Sequence, residues 1–107
     1  NRSVNQNFIV DTGASMVTIP SSTADYLGLA VDERNPMHRV LTANGAKYAP
    51  EVTLYSITID GREVNEIKAL VLDIPDQPDL GLLGLNYLKR FRMDMNMEQG
   101  ILLLEPR

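Results

Sequence analysis

Short apolar runs separated by turn residues dominate the chain. Apolar and polar residues alternate most regularly over 52–59, the period-two pattern of a strand with one buried face. Other strand-like runs cover residues 8–10, 16–19, 38–43, 46–48, 67–72 and 101–104, and Met93, Met95 and Met97 alternate with polar residues. Several short strands with frequent turns predict a mostly-β fold.

Two dipeptides predict tight hairpin turns. Asn44-Gly45 and Asp60-Gly61 each stand between strand-like runs, and a type I′ turn needs positive φ at both of its central residues. Residues 75–79 combine two prolines with acidic and amide side chains and predict a rigid, solvated loop. Asp73, Asp76 and Asp79 lie in or beside this loop, and we expect them to be solvated.

The sequence predicts two short helices. Ser22 and Asp25 have the spacing of a capping box, which predicts a helix that runs to about Leu27 and ends at Gly28. Residues 85–91 predict the second helix. The segment Gly81-Leu82-Leu83-Gly84 before it is too short for a helix and apolar enough to be buried.

Composition narrows the class of protein. The 107 residues are 44% hydrophobic and 22% charged, which predicts one globular domain over residues 1–107. The net charge is −4 without a block of Lys or Arg, so we expect no nucleic-acid partner. The chain has no cysteine, which excludes disulfide and thiolate chemistry. Its longest apolar runs are far shorter than the roughly 20 residues that span a bilayer, so we expect no membrane contact by this segment.

The candidate chemistry lies directly after the first apolar run. Asp11 directly follows the apolar run Phe8-Ile9-Val10, which predicts that its carboxylate is buried and does not face solvent. A buried carboxylate needs hydrogen-bond donors or a charged partner. Thr12 has a hydroxyl that donates and accepts, and Gly13 lets backbone N–H groups approach a carboxylate closely.

Three segments, in order along the chain, resemble one family. Asp11-Thr12-Gly13-Ala14-Ser15 resembles the signature of aspartic proteases in their short, retroviral-like form. Thr42-Ala43-Asn44-Gly45 resembles the flap hairpin of bacterial retropepsin-like proteases. Leu82-Leu83-Gly84 and the helix after it resemble the segment that lies behind the catalytic loop. The resemblance implies a retropepsin-like domain with a closed β-barrel, a half-site domain in the sense that it supplies one half of an active site.

The resemblance also implies how such a chain works. Only one Asp-Thr-Gly is present, so the family analogy implies a symmetric homodimer in which Asp11 of each copy supplies half of the catalytic site. Two facing carboxylates share one proton and activate a water that attacks a peptide bond. Thr12 and Gly13 would support the catalytic loop, and no cofactor is implied. The residues expected to line the groove for a polypeptide substrate are Ala14, Ala43, Asn44 and Gly45.

Two other functions stay open. A retropepsin fold without activity could serve as a dimerisation or peptide-binding module, although the intact Asp and Gly of the triplet favour an enzyme. A small structural β-domain with a chance triplet would leave the two companion segments unexplained. We expect no metal site, because His38 is the only histidine and Met93, Met95 and Met97 have the period of a strand.

The N-terminal side departs from the retroviral pattern. Only ten residues precede Asp11, enough for one strand. Either a longer parent protein supplies the rest of the dimer interface, or residues 101–104 form most of it. The compartment is unknown from these residues, although bacterial relatives are often anchored to a membrane by an upstream helix.

Overall fold

The computed structural model describes residues 2–42, 45–96 and 101–106, and strands dominate them. The elements in chain order are β1 (Asn7–Val10), β2 (Val17–Ile19), α1 (Ser21–Tyr26), β3 (Met37–Thr42), β4 (Gly45–Ile59), β5 (Arg62–Val71), β6 (Leu80–Leu83), α2 (Leu85–Leu88), β7 (Phe91–Asn96) and β8 (Ile101–Pro106). The predicted mostly-β fold is confirmed.

Six strands form one half-barrel sheet in the order β1-β6-β2-β5-β4-β3. The β1–β6 and β2–β5 pairs are parallel, and the other pairs in this sheet are antiparallel. The β7 and β8 strands form a separate antiparallel pair. The buried side chains of β2, β4, β5 and β6 pack with those of α2 into one hydrophobic core.

The end of β6 lies between β1 and β2. Val10 pairs with Leu83 on one side, and Thr18 pairs with Leu82 on the other. The chain therefore leaves β1, passes over the end of β6 and returns as β2. Gly84 lies directly beneath this loop, because a Cβ there would be 2.4 Å from the backbone carbonyl of Met16.

The long β4–β5 hairpin changes its buried face midway. Asp60 and Gly61 have φ of 50° and 78°, which confirms the predicted tight turn. Val52 and Leu54 are buried on β4, and Tyr55 is 82% exposed. Strict alternation would bury Ser56 next, but the next buried residue is Ile57, so the pattern breaks after Tyr55. On the facing strand Glu66 has φ of 51°, a conformation that non-glycine residues rarely adopt.

The first helix starts differently from the prediction. It begins at Ser21 with Pro20 as its N-cap, and the predicted capping box does not form. Ser21 instead donates from its backbone N–H to Asp73 Oδ1 (2.8 Å) and from Oγ to Asp73 Oδ2 (2.9 Å). A carboxylate remote in sequence therefore replaces the local cap. Asp73 is exposed, as predicted, and also makes these two bonds.

The second helix is shorter than predicted. It ends at Leu88 and not at Phe91, because Phe91 starts β7 and is buried against the ring of Tyr87, with the ring centroids 5.1 Å apart. Neither helix among the described residues is long and apolar enough to cross a bilayer.

We expect Gly84→Ala to lower the free energy of unfolding by about 1–3 kcal/mol, because the new methyl group overlaps backbone that cannot move freely. Denaturant unfolding at one fixed protein concentration measures the change. Met16→Ala provides the control. Since the obstructing atoms belong to the Met16 backbone, the Gly84→Ala, Met16→Ala double variant should be no more stable than Gly84→Ala alone. Recovery in the double variant would contradict this packing.

We expect Tyr87→Phe to cost about 1–2 kcal/mol at neutral pH, because the fully buried hydroxyl donates to Arg62 O at 2.8 Å. Burial raises the pKa of Tyr87. The phenol of the unfolded chain therefore ionises first, and the contribution of Tyr87 to stability falls once the pH exceeds its ordinary pKa of about 10. The stability difference between wild type and Tyr87→Phe should narrow between pH 9 and 11. A stability difference that stays constant or grows over this pH range would contradict this assignment. The other tyrosines are present in both proteins, so their effects on stability cancel in the difference.

Candidate active site

Backbone hydrogen bonds hold Asp11 at the end of β1. Its N–H donates to Leu83 O (3.1 Å), and its C=O accepts the N–H of Ala14 (3.1 Å). The half-buried carboxylate accepts the Gly13 N–H at Oδ1 (2.9 Å). A tight loop on the edge of the sheet thus orients one oxygen of the carboxylate.

The neighbours of Asp11 have different exposures. A Cβ on Gly13 would lie 3.2 Å from Asp11 Oδ1, so glycine lets the backbone N–H come close to the carboxylate. Thr12 and Gly13 are exposed, and Ala14 is half-buried. Among the described residues, the Thr12 hydroxyl has no side-chain hydrogen bond, which leaves it available to a second molecule.

The segment after β6 supports the loop from behind. Leu85 donates its N–H to Ala14 O (2.8 Å), and Asn86 donates its N–H to Ser15 O (3.1 Å). The Asn86 side chain accepts the Val17 N–H at Oδ1 (2.8 Å) and donates from Nδ2 to Lys68 O (2.7 Å). One amide thus joins the start of β2 to β5.

The sequence prediction of site residues did not include Asn86. The available signal was a polar amide inside an otherwise apolar segment, Leu82-Leu83-Gly84-Leu85-Asn86-Tyr87-Leu88. An amide both donates and accepts, so a part-buried Asn next to two strand ends is suited to satisfy backbone groups from both.

The predicted flap corresponds to the β3–β4 hairpin. Gly45 has φ of 104° and pairs with Thr42 as the first residue of β4. Asn44, the other residue of the predicted turn, lies outside the described residues, so the position of this turn stays a prediction. The predicted substrate-binding residues Ala43 and Asn44 lie outside the described residues. No hydrogen bond among the described residues joins Gly45 to the Asp11 loop.

A charged cluster lies at the base of this hairpin. His38 Nε2 is 2.7 Å from Glu51 Oε1, and Lys68 Nζ is 3.8 Å from Glu51 Oε2. Glu51 is mostly buried, and its backbone accepts from Asn35 Nδ2 (3.0 Å). His38 therefore has a structural role at the base of the hairpin, where it contacts Glu51.

The comparisons with known proteins agree with this geometry. Residues 1–90 match the family model described as "gag-polyprotein putative aspartyl protease". A solved structure of a retropepsin-like aspartic protease from Rickettsia conorii is similar with a TM-score of 0.69 and 36% identity, over 91% of this chain and 70% of that one. This chain belongs to the retropepsin-like aspartic protease family.

Two curated bacterial relatives of this retropepsin-like chain are uncharacterised proteins. One, from Rickettsia prowazekii (strain Madrid E), is 34% identical over 91% of this chain. The other, from the cobV 5′ region of a Sinorhizobium species, is 33% identical over 81%. The matches span 40% and 37% of these relatives, so the chain covers about two fifths of their length.

We expect Asn86→Ala to loosen the Asp11 loop from behind. Both Val17 N–H and Lys68 C=O lose a hydrogen-bond partner, which should lower the free energy of unfolding by about 1–3 kcal/mol. Amide exchange at Val17 should also become faster, by more than the loss of global stability alone would cause. Hydrogen exchange followed by NMR measures this.

Asn35→Ala is the matched control for Asn86→Ala. Asn35 also bonds two backbone groups, Asp32 N–H and Glu51 C=O, but in a loop remote from Val17 along the chain. Its removal should leave the exchange of Val17 relative to the global rate unchanged. Equal effects of the two substitutions at Val17 would contradict a local role for Asn86.

Proposed function

We propose that this protein is an aspartic endopeptidase whose active site forms between two copies of the chain, with one Asp11 from each. The observation that carries the proposal is the Asp11 carboxylate itself, half-buried at a strand end and oriented by the Gly13 N–H on a loop that β6 and Asn86 support. Membership of the retropepsin-like family supports peptide-bond hydrolysis as the reaction.

A second copy supplies what the described part of one chain lacks. No second carboxylate among the described residues is hydrogen-bonded to Asp11, whereas this chemistry needs two carboxyl groups in contact. The surface next to Asp11 favours association, since the apolar side chains of Ile9 and Val10 are exposed there, as are the residues Thr12 and Gly13. A two-fold axis beside the loop would bury these residues and bring the two carboxylates together.

The reaction follows from the shared proton. Two adjacent carboxylates do not both ionise readily, so one holds a proton. The ionised carboxylate takes a proton from a bound water, whose oxygen attacks the carbonyl carbon of the scissile bond while the protonated carboxyl group donates to the carbonyl oxygen. The tetrahedral intermediate collapses as the carboxyl group that took the proton from water gives it to the amide nitrogen, the ionised carboxylate takes a hydroxyl proton from the intermediate, and the C–N bond breaks. The pair again holds one proton. The products are a free carboxyl and a free amine.

Mixing wild type with Asp11→Asn tests both the residue and the dimer. Asp11→Asn is nearly isosteric but cannot act as an acid or a base, so the pure variant should fold and show no measurable cleavage of a peptide library. With free exchange and equal affinity, active dimers scale as the square of the wild-type fraction. An equal mixture at constant total protein should therefore retain about a quarter of the activity.

Different outcomes separate the alternatives. About half of the activity in the equal mixture would mean an active monomer and would overturn the shared site. Cleavage by pure Asp11→Asn would overturn the catalytic residue. A wild type that dimerises and binds peptides without cleaving any would favour the inactive peptide-binding module.

A further inference from the structure

The two faces of the β3–β4 hairpin differ sharply in burial. Residues directly opposite each other in an antiparallel pair share a face, so one face carries the pairs His38–Ala49 and Val40–Lys47, and the other carries Arg39–Tyr48 and Leu41–Ala46. We call these the inner and the outer face.

Burial shows which face turns towards the domain. On the inner face Ala49 is fully buried, and His38 and Val40 are half-buried. On the outer face Leu41 is 75% exposed and Tyr48 is 66% exposed. The inner face therefore turns towards the body of the protein, the side on which a flap would cover a bound peptide. Lys47 lies on this face, two residues from the start of β4.

Charge singles out the flap hairpin within an acidic chain. Residues 37–50 contain Arg39 and Lys47 but no Asp or Glu, although the whole chain has a net charge of −4. Arg39 points to the outer face. Lys47 is thus the fully charged side chain on the inner face of the hairpin.

Lys47 is also without an ion pair. Glu51 is the nearest carboxylate along β4, and it is engaged by His38 at 2.7 Å and Lys68 at 3.8 Å. Within the part of the chain that the structure describes, Lys47 forms no ion pair and no side-chain hydrogen bond. It is exposed in the free protein, so its charge is solvated until something covers it.

We propose that Lys47 determines substrate specificity by binding an acidic side chain, Asp or Glu, of the peptide that lies under the flap. The inference rests on the proposed peptidase function. Although the chain as a whole is acidic, Lys47 provides a local positive potential on the inner face, and this potential favours an acidic side chain of the peptide over a neutral one. Closure of the flap removes water around the pair and strengthens it.

Matched peptides test this role. Starting from a peptide that the wild-type protein cleaves, Glu and Gln are exchanged at each position from four residues before to four residues after the scissile bond. At one position or more, kcat/KM should favour Glu by about fivefold. Lys47→Gln should bring the Glu-to-Gln ratio of kcat/KM close to one. Lys47→Glu should reverse this ratio, so that Gln is favoured over Glu, and should favour a peptide with Lys at the same position.

Binding without turnover provides a second readout. In the Asp11→Asn background, fluorescence anisotropy should show the same preference for Glu in Kd, and raising the salt concentration should reduce it. Lys89→Gln is the matched control, because it removes one positive charge outside the hairpin, next to α2. It should keep the wild-type ratio of Glu to Gln peptides.

The outcomes distinguish this inference from the function on which it rests. Cleavage with a Glu-to-Gln ratio near one at every position, or a preference that survives Lys47→Gln, overturns the role of Lys47 and leaves the peptidase in place. If both Lys47→Gln and Lys89→Gln lost the preference for Glu peptides, the preference would come from the net charge of the protein, which would also overturn the role of Lys47. Failure to cleave any peptide, with no Glu preference in binding, overturns both.

Discussion

The close contact between Gly84 and the backbone of residues 14–16 is the constraint on which the rest of the site depends. A single methyl group at Gly84 would lie 2.4 Å from the Met16 carbonyl and 3.0 Å from Ala14 O. Only a bare backbone lets the end of β6 pass beneath the loop while Leu85 and Asn86 bond to it. The height of the loop above the sheet, and with it the position of Asp11, is set by this contact.

Because of this contact, the site depends on pairing between strands that are far apart in the sequence. The β1 and β2 strands do not pair with each other, and both use β6, a strand about 70 residues further along the chain. Closing such a loop costs chain entropy before any pairing compensates for it. The Asp11 carboxylate therefore reaches its position only once β6 is in place, and its geometry is as stable as the sheet.

The features predicted correctly are those that local chemistry decides. The turn at Asp60-Gly61, the buried apolar segment before Gly84 and the strand that leads into Asp11 each follow from a few adjacent residues. The errors have non-local causes. Asp73 caps α1 from the far end of β5, Phe91 ends α2 by packing on Tyr87, and the buried face of β4 changes opposite Glu66. Periodicity and propensity describe neighbouring residues, so they do not predict these contacts. They also do not predict the two hydrogen bonds of the Asn86 side chain.

The hairpin that would cover the site is anchored at its base, at Glu51. Glu51 pairs with β5 and is bonded by Asn35, His38 and Lys68, whereas the part of β4 before it pairs only with β3. A hairpin whose two strands pair only with each other is suited to open and close over a peptide. In the proposed dimer, that closure joins a second coupled event: two facing carboxylates hold one proton between them, so association and proton uptake are linked. Under this proposal, assembly, protonation and closure each complete part of a site of which a single chain supplies one half.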